Sequence, residues 1–206
     1  MHKKFRDIDV QSDKVNRIIN CAFEEFSKNA FDKASTNNIV KAAQVSRGLM
    51  YHHFKDKQEL FDFLMAFSLT VMLDAFNKNV DWEEIDILSR IRQTVRFKWD
   101  IFQRYPYMLE FCVKHAKSDN IAGEKKIMID QLKDIRKSLY NENIDISVFK
   151  EGIDIHMAID VIRWTIAKYS EEYQQKIIVG NMQPQLEEMF TRLEDYIEFL
   201  KEVFYK

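Results

Sequence analysis

Glycine and proline are scarce in this chain, 4 and 2 among 206 residues. So few breakers argue against a many-turned β fold and favour long helices. Cysteine is nearly absent: Cys21 and Cys112 lie far apart, each inside a helical pattern. That excludes a disulfide framework or a cysteine metal site and reads as two reduced thiols of a cytoplasmic protein. The opening residues, MHKKFRDIDV, are charged with no apolar run behind them, so neither a signal peptide nor a membrane span is expected. No G-x-S-x-G, P-loop, G-x-G-x-x-G or H-E-x-x-H occurs, and no catalytic residues are assigned. Adjacent His52 and His53 point about 100° apart on a helix and do not share a face, so no metal site is expected, and no cofactor.

What is present suits a compact helical protein. With 46% hydrophobic and 31% charged residues, the chain can bury a sizeable core. Its net charge is only −2, but the charge is uneven. Residues 1–57 hold 11 Lys and Arg against 7 Asp and Glu, while residues 58–206 hold 20 against 26. A basic head on an acidic body suits a molecule that touches phosphate with one end only.

The chain is organised around residues 35–60, STNNIVKAAQVSRGLMYHHFKDKQEL. Ser35 is an N-cap for a short helix carrying Ile39, Ala42 and Ala43, with Asn38 at the capping-box position. The apolar period breaks at Gln44-Val45, Ser46 caps a second helix that runs to Phe54, and Asp56 with Glu59 starts a third. Before them a stripe of Val15, Ile18, Ile19, Ala22, Phe23 and Phe26 predicts a supporting helix, and the first eleven residues are expected to form a mobile arm. Two short helices about one turn apart have the proportions of a helix-turn-helix. Its second helix would enter the major groove by its N-terminal part, bringing Ser46, Arg47, Gly48, Leu49 and His52 to base edges. Arg47 suits a bidentate contact to guanine and Leu49 an apolar contact to a thymine methyl, while Val45, Met50 and Phe54 face inward.

The run A-x-V-S-x-G-x-x-Y-H-H-F-K-x-K-x-x-L, preceded by F-S-K-x-x-F-D-x-x-S-T-x-x-I, resembles the signature of the tetracycline-repressor (TetR) family of bacterial regulators. The likeness covers residues 12–72. It departs from the family at Gln44, where a small residue is usual in the turn; at Asn29-Ala30, where a Gly is missing; and at Leu49, where a polar residue is common. Asn29 tolerates the left-handed backbone of a helix end and so stands in for the Gly. By analogy with the family, Ser35, Thr36, Tyr51, His53, Lys55 and Lys57 are placed on phosphates, which set register without reading sequence. Gln44 is counted with this DNA-facing set. The resemblance implies a three-helix DNA-binding head at 12–72, a helical effector-binding and dimerisation body at 73–206, and double-stranded operator DNA as partner.

The body reads as helices throughout. The head's last helix continues from Asp56 to about Asn77. Leu88, Ile91, Val95, Trp99 and Phe102 define the next, from about Trp82 to Arg104, closed by Tyr105-Pro106. Pro106 then opens a helix with Leu109, Cys112, Val113 and Ala116. A Ser118-Asp119-Asn120 loop precedes a helix with Met128, Leu132, Ile135 and Leu139. Ile155, Ile159, Ile162, Ile166, Tyr169 and Tyr173 are spaced 4, 3, 4, 3, 4, as are Leu186, Phe190, Leu193, Ile197, Leu200 and Phe204. Each row is an a/d seam, and Gly180-Asn181 with Pro184 folds the two helices back as an antiparallel pair. Each seam is flanked by further apolar residues, Met157, Val161 and Trp164 in one and Met189, Tyr196 and Val203 in the other. A surface that wide needs two partners, the body and most simply the same pair from a second copy, the alternative being that both faces are buried within one chain. Ile159, Ile162, Ile166, Leu193, Ile197 and Leu200 are therefore expected at a homodimer interface, in keeping with a family that looks dimeric through its last two helices.

Aromatic residues crowd the middle helices. Phe67, Trp99, Phe102, Tyr107, Phe111 and Trp164, with Phe97, Tyr105 and Met72, Met108 and Met128, either pack as ordinary core or line an apolar cavity for a small molecule. The resemblance implies the cavity; Glu110, His115 or Arg163 are the candidates for the polar contact that orients its ligand, and nothing in the sequence chooses among them. The expected function is thus an all-α, cytoplasmic, homodimeric transcriptional regulator, a repressor released by a largely apolar effector, and not an enzyme. Two other classes fit the residues alone: a helical small-molecule binder without DNA readout, and an enzyme using the body cavity.

Overall fold

A computed structural model describes residue 5 and residues 7–115, 124–180 and 186–206. Among them are nine α-helices and no strand: α1 (Asp13–Lys28), α2 (Thr36–Ala42), α3 (Arg47–His53), α4 (Lys57–Asn79), α5 (Ile87–Arg104), α6 (Met108–His115), α7 (Glu124–Asn141), α8 (Ile155–Gly180) and α9 (Leu186–Phe204). The loop expected at 118–120, the contribution of Ala116, and the stop and restart at Asn181 and Pro184 lie outside the described residues.

The chain divides into two compact units. The first comprises Met1–Met72 with Phe102–Met128, the second Leu73–Ile101 with Ile129–Lys206. The first unit therefore includes a stretch, Phe102–Met128, that the sequence-based division assigns to the body.

In the first unit the expected stripe of α1 is buried at all six positions. Its rings meet those of α4 and α6: Phe23 lies 5.2 Å from Phe111 edge-on, and Phe26 lies 5.2 Å from Phe61. Such pairs add about 1 kcal/mol each beyond the area they bury. Phe5 is buried too, edge-on to Phe63 at 5.4 Å, so the opening segment is anchored at that residue and is not wholly a free arm. Asn29 is extended (φ −116°) and needs no left-handed backbone; its amide and side chain both donate to the Glu25 carbonyl, at 3.0 and 3.3 Å, and so close the helix. On α6 the buried face is Met108 and Phe111, while Leu109, Cys112 and Val113 are half-buried. Burial pushes the Cys112 thiol up to about 11, which leaves it unreactive at neutral pH.

The second unit has its core among Ile87, Leu88, Ile91, Ala158, Ile162, Ile166, Leu193, Ile197 and Leu200. Helix α5 begins at Ile87 and not near Trp82, because Asp86 caps it: its carboxylate accepts from the Leu88 amide at 2.9 Å and the Ser89 hydroxyl at 2.8 Å. Arg90 is fully buried and donates to the carbonyls of Trp82, Glu84, Glu142 and Asn143, which satisfies a guanidinium without a carboxylate. The Tyr205 hydroxyl donates to Asp86 at 2.6 Å and fixes the end of the chain. Helices α8 and α9 lie together, with Tyr169 donating to the Met189 carbonyl at 3.1 Å.

The expected dimer interface changes with this core. Ile162, Ile166, Leu193, Ile197 and Leu200 are buried, and Ile159 is half-buried against the same cluster, all within one chain. The five buried side chains, enclosed within their own chain, offer no surface to a second copy, and Ile159 keeps part of one. Among the described residues, the large apolar side chains left exposed on α8 and α9 are Met157 (63%), Trp164 (59%), Phe199 (58%) and Val203 (40%).

Candidate nucleic-acid interface

Helices α2 and α3 are positioned by caps on both sides of their turn. The Ser35 side chain accepts from the Asn38 amide at 3.5 Å. The reciprocal half of that capping box comes not from Asn38 but from Glu25 of α1, whose carboxylate accepts from the Ser35 amide at 2.8 Å and from the Asn38 side chain at 3.4 Å. No local pattern announces Glu25, because the bond spans ten residues.

Helix α2 ends in a Schellman motif. The Val45 amide donates to the Val40 carbonyl at 3.1 Å and the Gln44 amide to that of Lys41 at 3.2 Å, with Gln44 at φ 54°. A left-handed residue at this point explains why a small one is usual there, and Gln44 takes the same conformation at a cost of about 1 kcal/mol. The turn thus forms despite the substitution. Ala42 is exposed and Val40 takes the core place expected for it, beside Ile39 and Ala43.

Ser46 then caps α3, accepting from the Leu49 amide at 3.1 Å. Met50 and Phe54 face the core, and Val45 is half-buried. Arg47, Gly48 and His52, in the N-terminal part of α3 and just after it, are exposed, and Leu49 is half-buried. A Cβ on Gly48 would meet only the Ser46 hydroxyl, at 3.9 Å, so nothing within the chain requires glycine there. Tyr51 shares a 3.2 Å hydrogen bond with Thr36, and the Arg47 guanidinium lies 5.8 Å from the centre of its ring. The Thr36 bond, then Arg47, holds the Tyr51 phenol below its usual range. Burial, and then the charge of His52, lowers the His53 imidazole, which favours its neutral form. Lys55 is exposed.

Lys57 is used otherwise than expected. Its ammonium donates to the carbonyls of Phe31, Asp32 and Ala34 at 2.7, 3.2 and 3.1 Å and lies 4.7 Å from the centre of the Phe31 ring. Three carbonyls satisfy all three donors of an ammonium, so Lys57 clamps the turn between α1 and α2 and has no donor left for phosphate.

The expected effector residues divide between the two units. Phe67, Phe102 and Phe111 are buried core of the first; Phe67 meets Tyr105 at 5.2 Å, and Phe111 meets Phe61 at 5.3 Å. His115 is half-buried there, Nε2 3.1 Å from the Phe26 carbonyl, and burial lowers its pKa. Tyr107 is half-buried beneath the Lys28 ammonium at 5.1 Å. In the second unit Trp99 meets Phe190 edge-on at 4.9 Å, in an open groove of about 400 Å³ between α5 and α9 that Arg92, Glu187 and Glu194 also line. Trp164 is exposed. No group of three or more candidate metal ligands occurs among the described residues, and no helix there is long and apolar enough to cross a membrane.

Comparison with known proteins bears on the same region. Residues 18–63 match the model of "bacterial regulatory proteins, tetR family". The chain is 41% identical over 144 residues, 66% of its length and 69% of the relative's, to the helix-turn-helix transcriptional regulator QacR of Staphylococcus aureus. It is 24% identical over 195 residues, 93% of its length and 98% of the relative's, to IcaR, negative transcriptional regulator of the biofilm operon icaADBC in the same species. The fold is similar to that of the ketosteroid transcriptional regulator KstR2 of Mycobacterium tuberculosis, at TM-score 0.66 and 16% identity, covering 96% of this chain and 97% of that one.

Proposed function

This chain belongs to the tetR family of bacterial regulatory proteins and is a DNA-binding transcriptional regulator, and on that footing we propose that it acts as a homodimeric repressor released by a small molecule. Regulators of this family bind operator DNA and dimerise. The observation that carries the reading of the head is the capped α3 with Arg47 exposed and Leu49 half-buried at its N-terminal end. Arg47 reads a guanine by a bidentate contact, and Leu49 lies against a thymine methyl. Ser35, Thr36, Tyr51, His53 and Lys55 hold phosphates, the Tyr51 hydroxyl and Thr36 acting together. Repression is supported by IcaR, which is named a negative transcriptional regulator.

Dimerisation uses the apolar residues exposed on α8 and α9. Met157 and Trp164 lie seven residues apart, with half-buried Val161 between them, and Phe199 and Val203 lie four apart, so each set shares one helix face. A two-fold pairing of these faces would supply the two heads that half-sites roughly 34 Å apart require. Release requires an effector that binds the DNA-incompetent arrangement better, and reciprocity requires DNA to weaken that effector equally. The second unit is its proposed seat. Sequencing the DNA fragments bound by the purified protein tests the reading: enrichment of one two-fold symmetric site supports it, and recovery of unrelated sequences in proportion to input refutes it.

A further inference from the structure

On a helix a long side chain leans back over the turn before it, which brings Tyr51 to Arg47, one turn earlier on α3. The Arg47 guanidinium lies 5.8 Å from the centre of the Tyr51 ring, within the range of a cation–π contact. Both side chains are exposed, the ring at 38%, so packing against the core does not fix the arginine. Nor does a carboxylate: among the described residues no salt bridge includes Arg47. The ring is the group that restrains it. Tyr51 is in turn tied through its hydroxyl to Thr36 at 3.2 Å, so the ring belongs to both helices of the motif.

We propose that Tyr51 is a positioning residue for sequence readout, its ring holding the Arg47 guanidinium in place for the bidentate contact to guanine. The inference rests on the reading of Arg47 as the residue that meets that base, and it gives Tyr51 a part in specificity beside its phosphate contact. Arginine is among the side chains that lose most rotamer freedom when ordered, and a two-bonded contact to a base edge orders all of it. A guanidinium already held against a ring loses less freedom on binding than one that ranges through solvent. The benefit falls on the specific complex alone, because random DNA offers Arg47 no matching guanine. Preference at one base pair is thereby set in part by a residue that touches no base.

Anisotropy titrations of Tyr51→Leu and Tyr51→Phe in the full chain test the role. Three DNAs are used: the site recovered by sequencing bound fragments, that site with the guanine assigned to Arg47 replaced, and random sequence. Both variants lack the hydroxyl and weaken on all three alike. Tyr51→Leu loses a further factor of about two to five on the intact site only, so discrimination at that guanine falls by the same factor. Leucine is a good helix former and position 51 is exposed, so both variants fold. Tyr51→Phe, which keeps the ring and its backward lean, retains the discrimination of the parent. In an Arg47→Ala background the two variants discriminate equally. In the free protein, the Nε–H proton resonance of Arg47, identified by its loss in Arg47→Ala, shifts in Tyr51→Leu and stays near the parent position in Tyr51→Phe. Equal discrimination by the two variants in the parent background overturns the proposal, as does a resonance that Tyr51→Leu leaves unmoved. Better discrimination by Tyr51→Leu also overturns it, since the ring would then draw Arg47 away from the base. If Arg47→Ala relaxes one guanine and Tyr51→Leu does not, only the positioning role falls; if Arg47→Ala relaxes none, the reading of Arg47 falls and the role with it.

Discussion

The Tyr51 hydroxyl and Thr36 Oγ1 lie 3.2 Å apart and tie the two helices of the DNA-binding motif to each other on their outer face. One hydroxyl donates to the other, so the accepting one keeps its own O–H for a phosphate oxygen, and on the proposed reading the pair is an anion contact as well as a strut. Tyr51→Phe should therefore weaken binding by about 1 kcal/mol on specific and random DNA alike, with thermal stability nearly unchanged. Anisotropy titrations against both DNAs check it; a loss confined to the specific site would make Tyr51 a base reader.

Lys57→Met should act on stability and leave the DNA contacts alone. It removes three hydrogen bonds to the carbonyls at 31, 32 and 34, and a loss of about 1 to 3 kcal/mol is expected in urea unfolding. The salt slope of DNA binding should not change. A slope reduced by about one would restore Lys57 to the phosphates.

Gln44→Gly should stabilise the protein by about 1 kcal/mol, since glycine takes φ 54° without the steric cost of a Cβ. The urea midpoint should rise with DNA affinity intact. A lower midpoint would mean that the Gln44 side chain makes a contact worth more than the strain.

Two substitutions on adjacent helices should separate core from interface. Ile197 is fully buried in its own chain, so Ile197→Asp should prevent folding, costing more than about 4 kcal/mol. Trp164 is 59% exposed, so Trp164→Asp should leave helicity intact, give monomers in sedimentation and abolish tight DNA binding. A Trp164→Asp protein that remains dimeric would move the interface elsewhere.

What the sequence disclosed was what local spacing carries. The stripe of α1, the caps at Ser35, Ser46 and Asp56, and the extent of α3 depend on residues within four positions of each other. What it concealed depends on distant neighbours. Glu25 completes a cap ten residues away, and Lys57 reaches back more than twenty to its carbonyls. The 4, 3 spacing of α8 and α9 marks a buried seam without saying what buries it, and α5 of the same chain does so. Phe67 and Phe111 read equally as cavity lining or as core, since a ring's identity does not say whether its neighbours leave a space.

The most direct test is the salt dependence of binding to the DNA flanking the protein's own gene, measured by anisotropy for the parent protein and for Arg47→Ala. The parent should bind that DNA far more tightly than random sequence, with log affinity falling steeply and linearly with log salt. Arg47→Ala should lose about 1 to 3 kcal/mol on the specific site, relax preference at one guanine and leave random-sequence affinity far less affected. Equal weakening on both DNAs would make Arg47 a phosphate contact, and a parent protein showing no preference at any salt would contradict sequence reading by α3 altogether.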